Sequence, residues 1–141
     1  MSEATMRLDH LVLEVRDADR AAAFYQEVLG LAPVRLDAYR AGEVKFPSVR
    51  VDDATIIDLF PPPLWRGSSA QNPNHLCLTT TEAGFHAIEA RLAERGVAVT
   101  RRADHNFGAR GFGRSLYFDD RDGVAIEVRW YPTHIEPGAG R

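Results

Sequence analysis

The chain carries one cysteine, Cys77, and one lysine, Lys45, among its 141 residues. A lone cysteine excludes an intrachain disulfide, and with it the small disulfide-stapled class of secreted protein. The other basic residues are arginines, scattered without a stripe, and the net charge is 17 − 20 = −3. That argues against a nucleic-acid partner, which needs a basic face. No apolar run approaches the roughly 18 residues of a membrane span. The opening "MSEATMRLDH" lacks a basic segment followed by an apolar one, so no signal peptide is expected. Together these absences point to a cytoplasmic protein. Hydrophobic residues at 45% and charged residues at 26% then fit one ordinary globular domain over 1–141.

What is present is a repeat. "DHLVLEV" near the start is matched by "NHLCLTT" in the middle, so His10 and His75 each lead an apolar, β-prone run. Each run is followed by a helical stretch, one over about 18–29 with Asp17 as cap and Gly30 as stop. The other covers about 82–95, with Thr81 as cap and Gly96 as stop. Phe85, Ile88 and Leu92 give the second an apolar stripe at helical spacing. After the glycines come short strands, "LAPVRL" and "VAVTR", and then a hairpin in each half. "SVRVDDATIIDLF" and "SLYFDDRDGVAIEVRW" both read Ser, three strand residues, Asp-Asp. The second turn reads as two residues longer and contains Asp122-Gly123, a hairpin signal. The chain is thus a βαβββ unit written twice. Module one spans about 7–60, a Pro-rich linker 61–74, module two about 75–131 and a tail 132–141. "ADHNFGARGFG", from Ala103 to Gly113, reads as an irregular stretch before the last hairpin.

Each module leads with a histidine and ends with a carboxylate: His10 and Asp58, then His75 and Glu127. Side chains alternate across a strand. His10 therefore shares a face with Val12 and Glu14, Asp58 with Ile56 and Phe60, His75 with Cys77, and Glu127 with Arg129. The opposite faces, with Leu13, Ile57, Leu78 and Val128 among them, are greasier and belong under the helices. Two imidazoles and two carboxylates on the remaining faces form a mixed N/O set suited to a divalent transition metal. If those faces curl into a cup, the four converge. The plainer alternatives are a hydrogen-bonded strand histidine and a Glu127–Arg129 ion pair.

"LDHLVLEVRDADRAAAFYQEVLGL", "NHLCLTT" and "GRSLYFDDRDGVAIEV" resemble the vicinal oxygen chelate superfamily over about residues 7–131. This is the family of glyoxalase I, the fosfomycin- and bleomycin-resistance proteins, methylmalonyl-CoA epimerase and the extradiol dioxygenases. The resemblance implies an α+β fold in which two tandem βαβββ modules form a cup-shaped mixed sheet. It also implies one divalent ion (Zn, Ni, Mn, Fe or Co) with His10, Asp58, His75 and Glu127 as ligands. Asp58 stands where glyoxalase I resembles this pattern with the longer Glu, so it reaches less far. The activity implied is that of a metal-dependent lyase, isomerase or ring-opening transferase or hydrolase on a small oxygen-rich molecule. The alternatives are an Fe(II) extradiol dioxygenase and a non-catalytic drug-binding protein. A homodimer is expected, as βαβββ sheets of this family commonly pair across subunits.

Other residues are candidates for roles around the ion. Glu43, in "AYRAGEVKF", lies near where some fosfomycin-hydrolysing relatives keep a basic glutamate. Arg110 and Arg114, in the glycine-bearing "NFGARGFGRS", are candidates for holding a substrate carboxylate or phosphonate, and such glycines can form an anion nest. Tyr117 is a candidate to line the cup. Cys77 reads as an inert thiol, because nothing in sequence activates it.

Overall fold

A computed structural model describes residues 8, 10–65, 75–108 and 110–132. Most of the expected linker, and the tail with His134, lie outside the described residues. The chain divides into two compact units, 1–72 and 73–141.

The first unit runs β1 (His10–Glu14), α1 (Ala18–Leu29), β2 (Ala32–Val34), α2 (Leu36–Arg40), β3 (Ser48–Arg50) and β4 (Ile56–Phe60). The second runs β5 (His75–Thr79), α3 (Glu82–Glu94), β6 (Arg101–Gly108), β7 (Gly111–Asp119) and β8 (Ala125–Trp130). Each unit folds its strands into one four-stranded mixed sheet, and the orders correspond: β1-β4-β3-β2 and β5-β8-β7-β6. In both, the leading strand pairs in parallel with the last. The two βαβββ modules of the sequence are therefore present, and the class is α+β. Among the described residues no helix is long and apolar enough to cross a membrane.

The helices end where their caps place them. The Asp17 carboxylate accepts from the Arg20 N–H at 3.0 Å, and Gly30 turns left-handed at φ +73°. Thr81 Oγ1 accepts from the Gly84 N–H at 3.1 Å, and Gly96 sits at φ +67°. These bonds satisfy amides and allow reversals that a helix terminus otherwise leaves unmet. Alternation along the strands then sorts the faces. Leu13, Val15, Ile57 and Leu59 are buried against α1 residues such as Tyr25 and Val28 in the first unit's core. Leu116, Phe118, Ile126 and Val128 do the same with Phe85 and Leu92 of α3 in the second.

The structure departs from the sequence reading in four places. The five-residue α2 was not expected. It starts from Arg35 in a left-handed conformation without a side-chain cap, so no local signal announces it. Arg40 fastens it to α1 through two 2.7 Å bonds to Asp19. "VAVTR" is not a strand of its own; β6 begins only at Arg101. The stretch expected to be irregular is instead the β6–β7 hairpin, with Gly108 paired to Gly111. Finally, the second turn of the last hairpin is not longer. Arg50 pairs with Ile56 and Asp119 with Ala125, leaving loops 51–55 and 120–124 of equal length. Both are closed alike, Val51 N–H to Thr55 O and Asp120 N–H to Val124 O, each at 2.9 Å. The structural counterpart of Ser48 is thus Tyr117, not Ser115: Ser48 faces Asp58, and Tyr117 faces Glu127.

Candidate functional site

Strand pairing gives each module the same histidine–carboxylate relation. His10 lies opposite Ile56, two residues before Asp58 on the same face. His75 lies opposite Ala125, two residues before Glu127 on the same face. Both histidines are exposed, and both carboxylates are buried. In the second unit the pair closes: His75 Nε2 stands 3.4 Å from Glu127 Oε1.

The other oxygen of Glu127 is held from several sides. Ser115 Oγ donates to Oε2 at 2.7 Å, Asn106 Nδ2 at 3.0 Å and Arg129 Nη2 at 3.0 Å. Ser115 Oγ also lies 3.1 Å from Asn106 Oδ1, but it has one proton, and the shorter contact to a charged acceptor claims it. Burial alone would raise the Glu127 pKa. Hydrogen bonds from Ser115, Arg129, Asn106 and Tyr117 outweigh it and bring the carboxyl down to about 2. Burial also opposes the Arg129 charge. Its bonds to Tyr131 and Glu127 prevail, so the guanidinium is held protonated. The Glu127–Arg129 ion pair read as one alternative in the sequence is therefore present, made through Oε2. Asp58 has a simpler setting, accepting from Ser48 Oγ at 2.6 Å through Oδ1.

The remaining candidates separate by face. Tyr117 shares the Glu127 face, its ring 6.0 Å from that of His75, and its hydroxyl accepts from Asn106 Nδ2 at 3.4 Å. Burial, then the neighbouring Glu127, raises its pKa. Cys77 lies directly opposite Glu127 in the β5–β8 ladder, and desolvation with the Glu127 charge pushes its thiol up to about 11. A thiol so rarely ionised at neutral pH is a weak nucleophile. Arg110 donates its N–H to Tyr131 Oη at 3.1 Å and lays its guanidinium over that ring. Arg114 points to the opposite face, paired with Trp130 and lying over its indole, so it is not brought to the Glu127 side. Gly113 packs closely against the end of β8 and the residue after it, since a Cβ there would stand 2.8 Å from Trp130 O and 3.2 Å from the Tyr131 ring. Glu43 is exposed in the turn after α2. Sequence reasoning missed Asn106 altogether. It noticed Ser48 and Ser115 as a repeat but assigned them no bond.

The donors can be tested against a divalent ion. Two ligand atoms each about 2.1 Å from one ion at a tetrahedral angle lie about 3.4 Å apart. The His75–Glu127 spacing matches that value, and a carboxylate pinned by one oxygen presents the other. Among the described residues, no three or more His, Cys, Asp or Glu side chains stand together as a metal-holding group. Each module offers one imidazole and one carboxylate in the same register. The residues fit a metal in kind and in the His75–Glu127 spacing.

Two βαβββ modules of the same strand order in tandem define a class of fold, and the sequence matches its family model. The chain belongs to the Glyoxalase/Bleomycin resistance protein/Dioxygenase superfamily, matched over residues 7–128. Among its relatives is Virulence protein STM3117 of Salmonella typhimurium, 28% identical over 129 residues, which span 89% of this chain and 84% of that protein. The crystal structure of that protein superposes with a TM-score of 0.70 at 26% identity, covering 92% of this chain and 99% of the other. Metallothiol transferase FosB of Shouchella clausii is 26% identical over 121 residues, covering 86% of this chain and 77% of that one. Glutathione transferase FosA of Serratia marcescens is 27% identical over 124 residues, covering 86% and 78%.

Proposed function

We propose that this protein is a metal-dependent enzyme of the glyoxalase and fosfomycin-resistance type, acting on a small oxygen-rich molecule. The reading takes His10, His75 and Glu127 as ligands of one divalent ion, with Asp58 as the fourth. The observation that carries it is the His75 Nε2–Glu127 Oε1 approach of 3.4 Å, with an equivalent histidine–carboxylate register in module one. Such an ion, when bound, acts as a Lewis acid on a substrate oxygen. The chain's own part is to hold Glu127 ionised and turned towards His75, and to offer the Tyr117 hydroxyl on the same face. Arg110 is a second substrate contact in this reading, and Glu43 the candidate base. Among lyase, isomerase and ring-opening transferase, the last gains support from two relatives named as transferases.

A second reading, an Fe(II) dioxygenase, draws on the Ser48–Asp58 bond. If Asp58 stays with Ser48, two histidines and Glu127 form a three-ligand set with open positions. We further propose a cytoplasmic homodimer over one domain, since both sheets end in edge strands that need cover. Sedimentation of a monomer at micromolar concentration would contradict that.

Metal analysis of the purified protein, with calorimetric titration of the chelated form, tests the main reading. One divalent ion per chain is expected, with turnover dependent on it. Bound iron with catechol cleavage would move the assignment to the second reading. No binding of Zn, Ni, Mn, Co or Fe at micromolar concentration would overturn both.

A further inference from the structure

Strand β6 carries a one-residue bulge. Ala103 pairs with Ser115 and Asn106 with Gly113, so three steps along β6 match two along β7. Parity makes this consequential. Ser115 and Tyr117 lie on the Glu127 face, because Ser115 pairs with Arg129 and Tyr117 with Glu127. Arg101 and Ala103, paired with Tyr117 and Ser115, lie there too. Under regular alternation the next residue on that face would be His105, with Asn106 on the other. The extra residue reverses the alternation, and Asn106 arrives on the Glu127 face. A bulge that re-aims a side chain is a recurrent device beside functional sites. Here the redirected amide donates to Glu127 Oε2 at 3.0 Å and to the Tyr117 hydroxyl at 3.4 Å.

We propose that Asn106 is a positioning residue: placed by the bulge, it fixes Oε2 of Glu127 and leaves Oε1 as the one oxygen facing His75. A carboxylate rotates readily about its last bond and can present both oxygens unless one is engaged. Ser115 and Arg129 also donate to Oε2, but both come from β7 and β8. Asn106 alone reaches it from β6. Its backbone carbonyl also accepts from Arg129 Nη1 at 3.5 Å, so the same residue steadies the second donor. Outer partners of metal ligands orient them in this way, and their loss costs about 10–100-fold in metal affinity. The binding readout rests on the metal reading above; the orientation itself does not.

The test uses Asn106→Ala, with Asn106→Gln as the conservative variant, and Co(II) as probe. Wild type is expected to bind Co(II), and Asn106→Ala to bind it about 10–100-fold more weakly with an altered visible spectrum. Asn106→Gln should recover part of both, and the metal-free melting temperatures should stay close. Unchanged affinity and spectrum in Asn106→Ala would overturn the positioning role while leaving the metal reading intact. Failure of wild type to bind Co(II) would count against the metal reading alone. The crystal structure of metal-free Asn106→Ala then decides: a Glu127 side chain turned away from its present place supports the proposal. One still within about 3.4 Å of His75 Nε2, with Oε2 unmoved, overturns it.

Discussion

The two modules share a strand order, a histidine register and a hairpin loop length, yet they treat their closing carboxylates differently. Asp58 leans on one hydroxyl, that of Ser48, its direct cross-strand neighbour. Glu127 is gripped by Ser115, Asn106 and Arg129, with Tyr117 at hand. The position that holds Ser48 in module one holds Tyr117 in module two, and two of the gripping donors, Asn106 and Ser115, come from a longer, bulged β6–β7 hairpin. A duplicated unit has thus kept its backbone plan while concentrating its polar network in one copy. The shorter carboxylate has a loose setting, and the longer one a fixed orientation.

The widest separation between the copies is expected in metal retention. In Glu127→Gln, the donors around the Oε2 position require an acceptor, so the amide oxygen settles there. The NH2 group then faces His75, where it cannot ligate. In Asp58→Asn the single neighbour is a hydroxyl, which donates or accepts, so the amide oxygen can still turn outwards. Titration of Zn(II) into the metal-free variants should show retention lost in Glu127→Gln and only weakened in Asp58→Asn. Equal affinities in the two would dissolve the distinction.

Stability should part the modules next. Glu127→Ala strands the Arg129 guanidinium, only 3% exposed, without its carboxylate. Breaking a buried pair from one side costs about 3–5 kcal/mol. Asp58→Ala strands a neutral hydroxyl, Ser48, at a cost of about 1–3 kcal/mol. Urea unfolding of the metal-free proteins would measure both. A larger loss for Asp58→Ala would reverse the account of which carboxylate is built in.

Acid should act through the same residue. The Glu127 pKa, about 2, lies below the ordinary 4.5. A depressed carboxyl contributes stability that is complete above its unfolded pKa and fades as pH falls through the folded one. The contribution, about 3 kcal/mol at neutral pH, should therefore disappear between roughly pH 5 and pH 2. Amide protection in β7 and β8 of the metal-free wild type should decline across that window, and decline less in Glu127→Gln. Identical pH dependence in the two proteins would show that the carboxyl is not depressed.

The features the sequence disclosed were those written locally. Capping residues and glycines bounded both long helices to within a residue. Period-two alternation sorted His10, Asp58, His75 and Glu127 onto one class of face. Long-range pairing was not legible. The letters Ser, three residues, Asp-Asp recur in both hairpins and suggested an alignment of Ser48 with Ser115. Cross-strand register sets them two residues apart. The bulge that turns Asn106 inwards exists only in the β6–β7 pairing, and nothing in "ADHNFG" marks it. Helix α2 likewise depends on a tertiary contact, Arg40 with Asp19, which its own five residues do not contain.

The smallest effect is expected where the modules still agree. Asp17 and Thr81 cap α1 and α3 in the same way, each accepting one backbone N–H three residues on, at 3.0 and 3.1 Å. Removing either side chain leaves that amide to water and should cost about 1 kcal/mol. The residue types differ in one respect. Asp17 brings a negative charge to the positive end of its helix, worth about 0.3–1 kcal/mol at low ionic strength, and Thr81 brings none. In low salt, Asp17→Ala should therefore lower the melting temperature slightly more than Thr81→Ala. Added salt should narrow the gap, because it screens the dipole term and leaves the hydrogen bond. A gap that persists in high salt would trace instead to unequal packing of the two helix starts, and the helical halves of the modules would then have diverged as their carboxylates have.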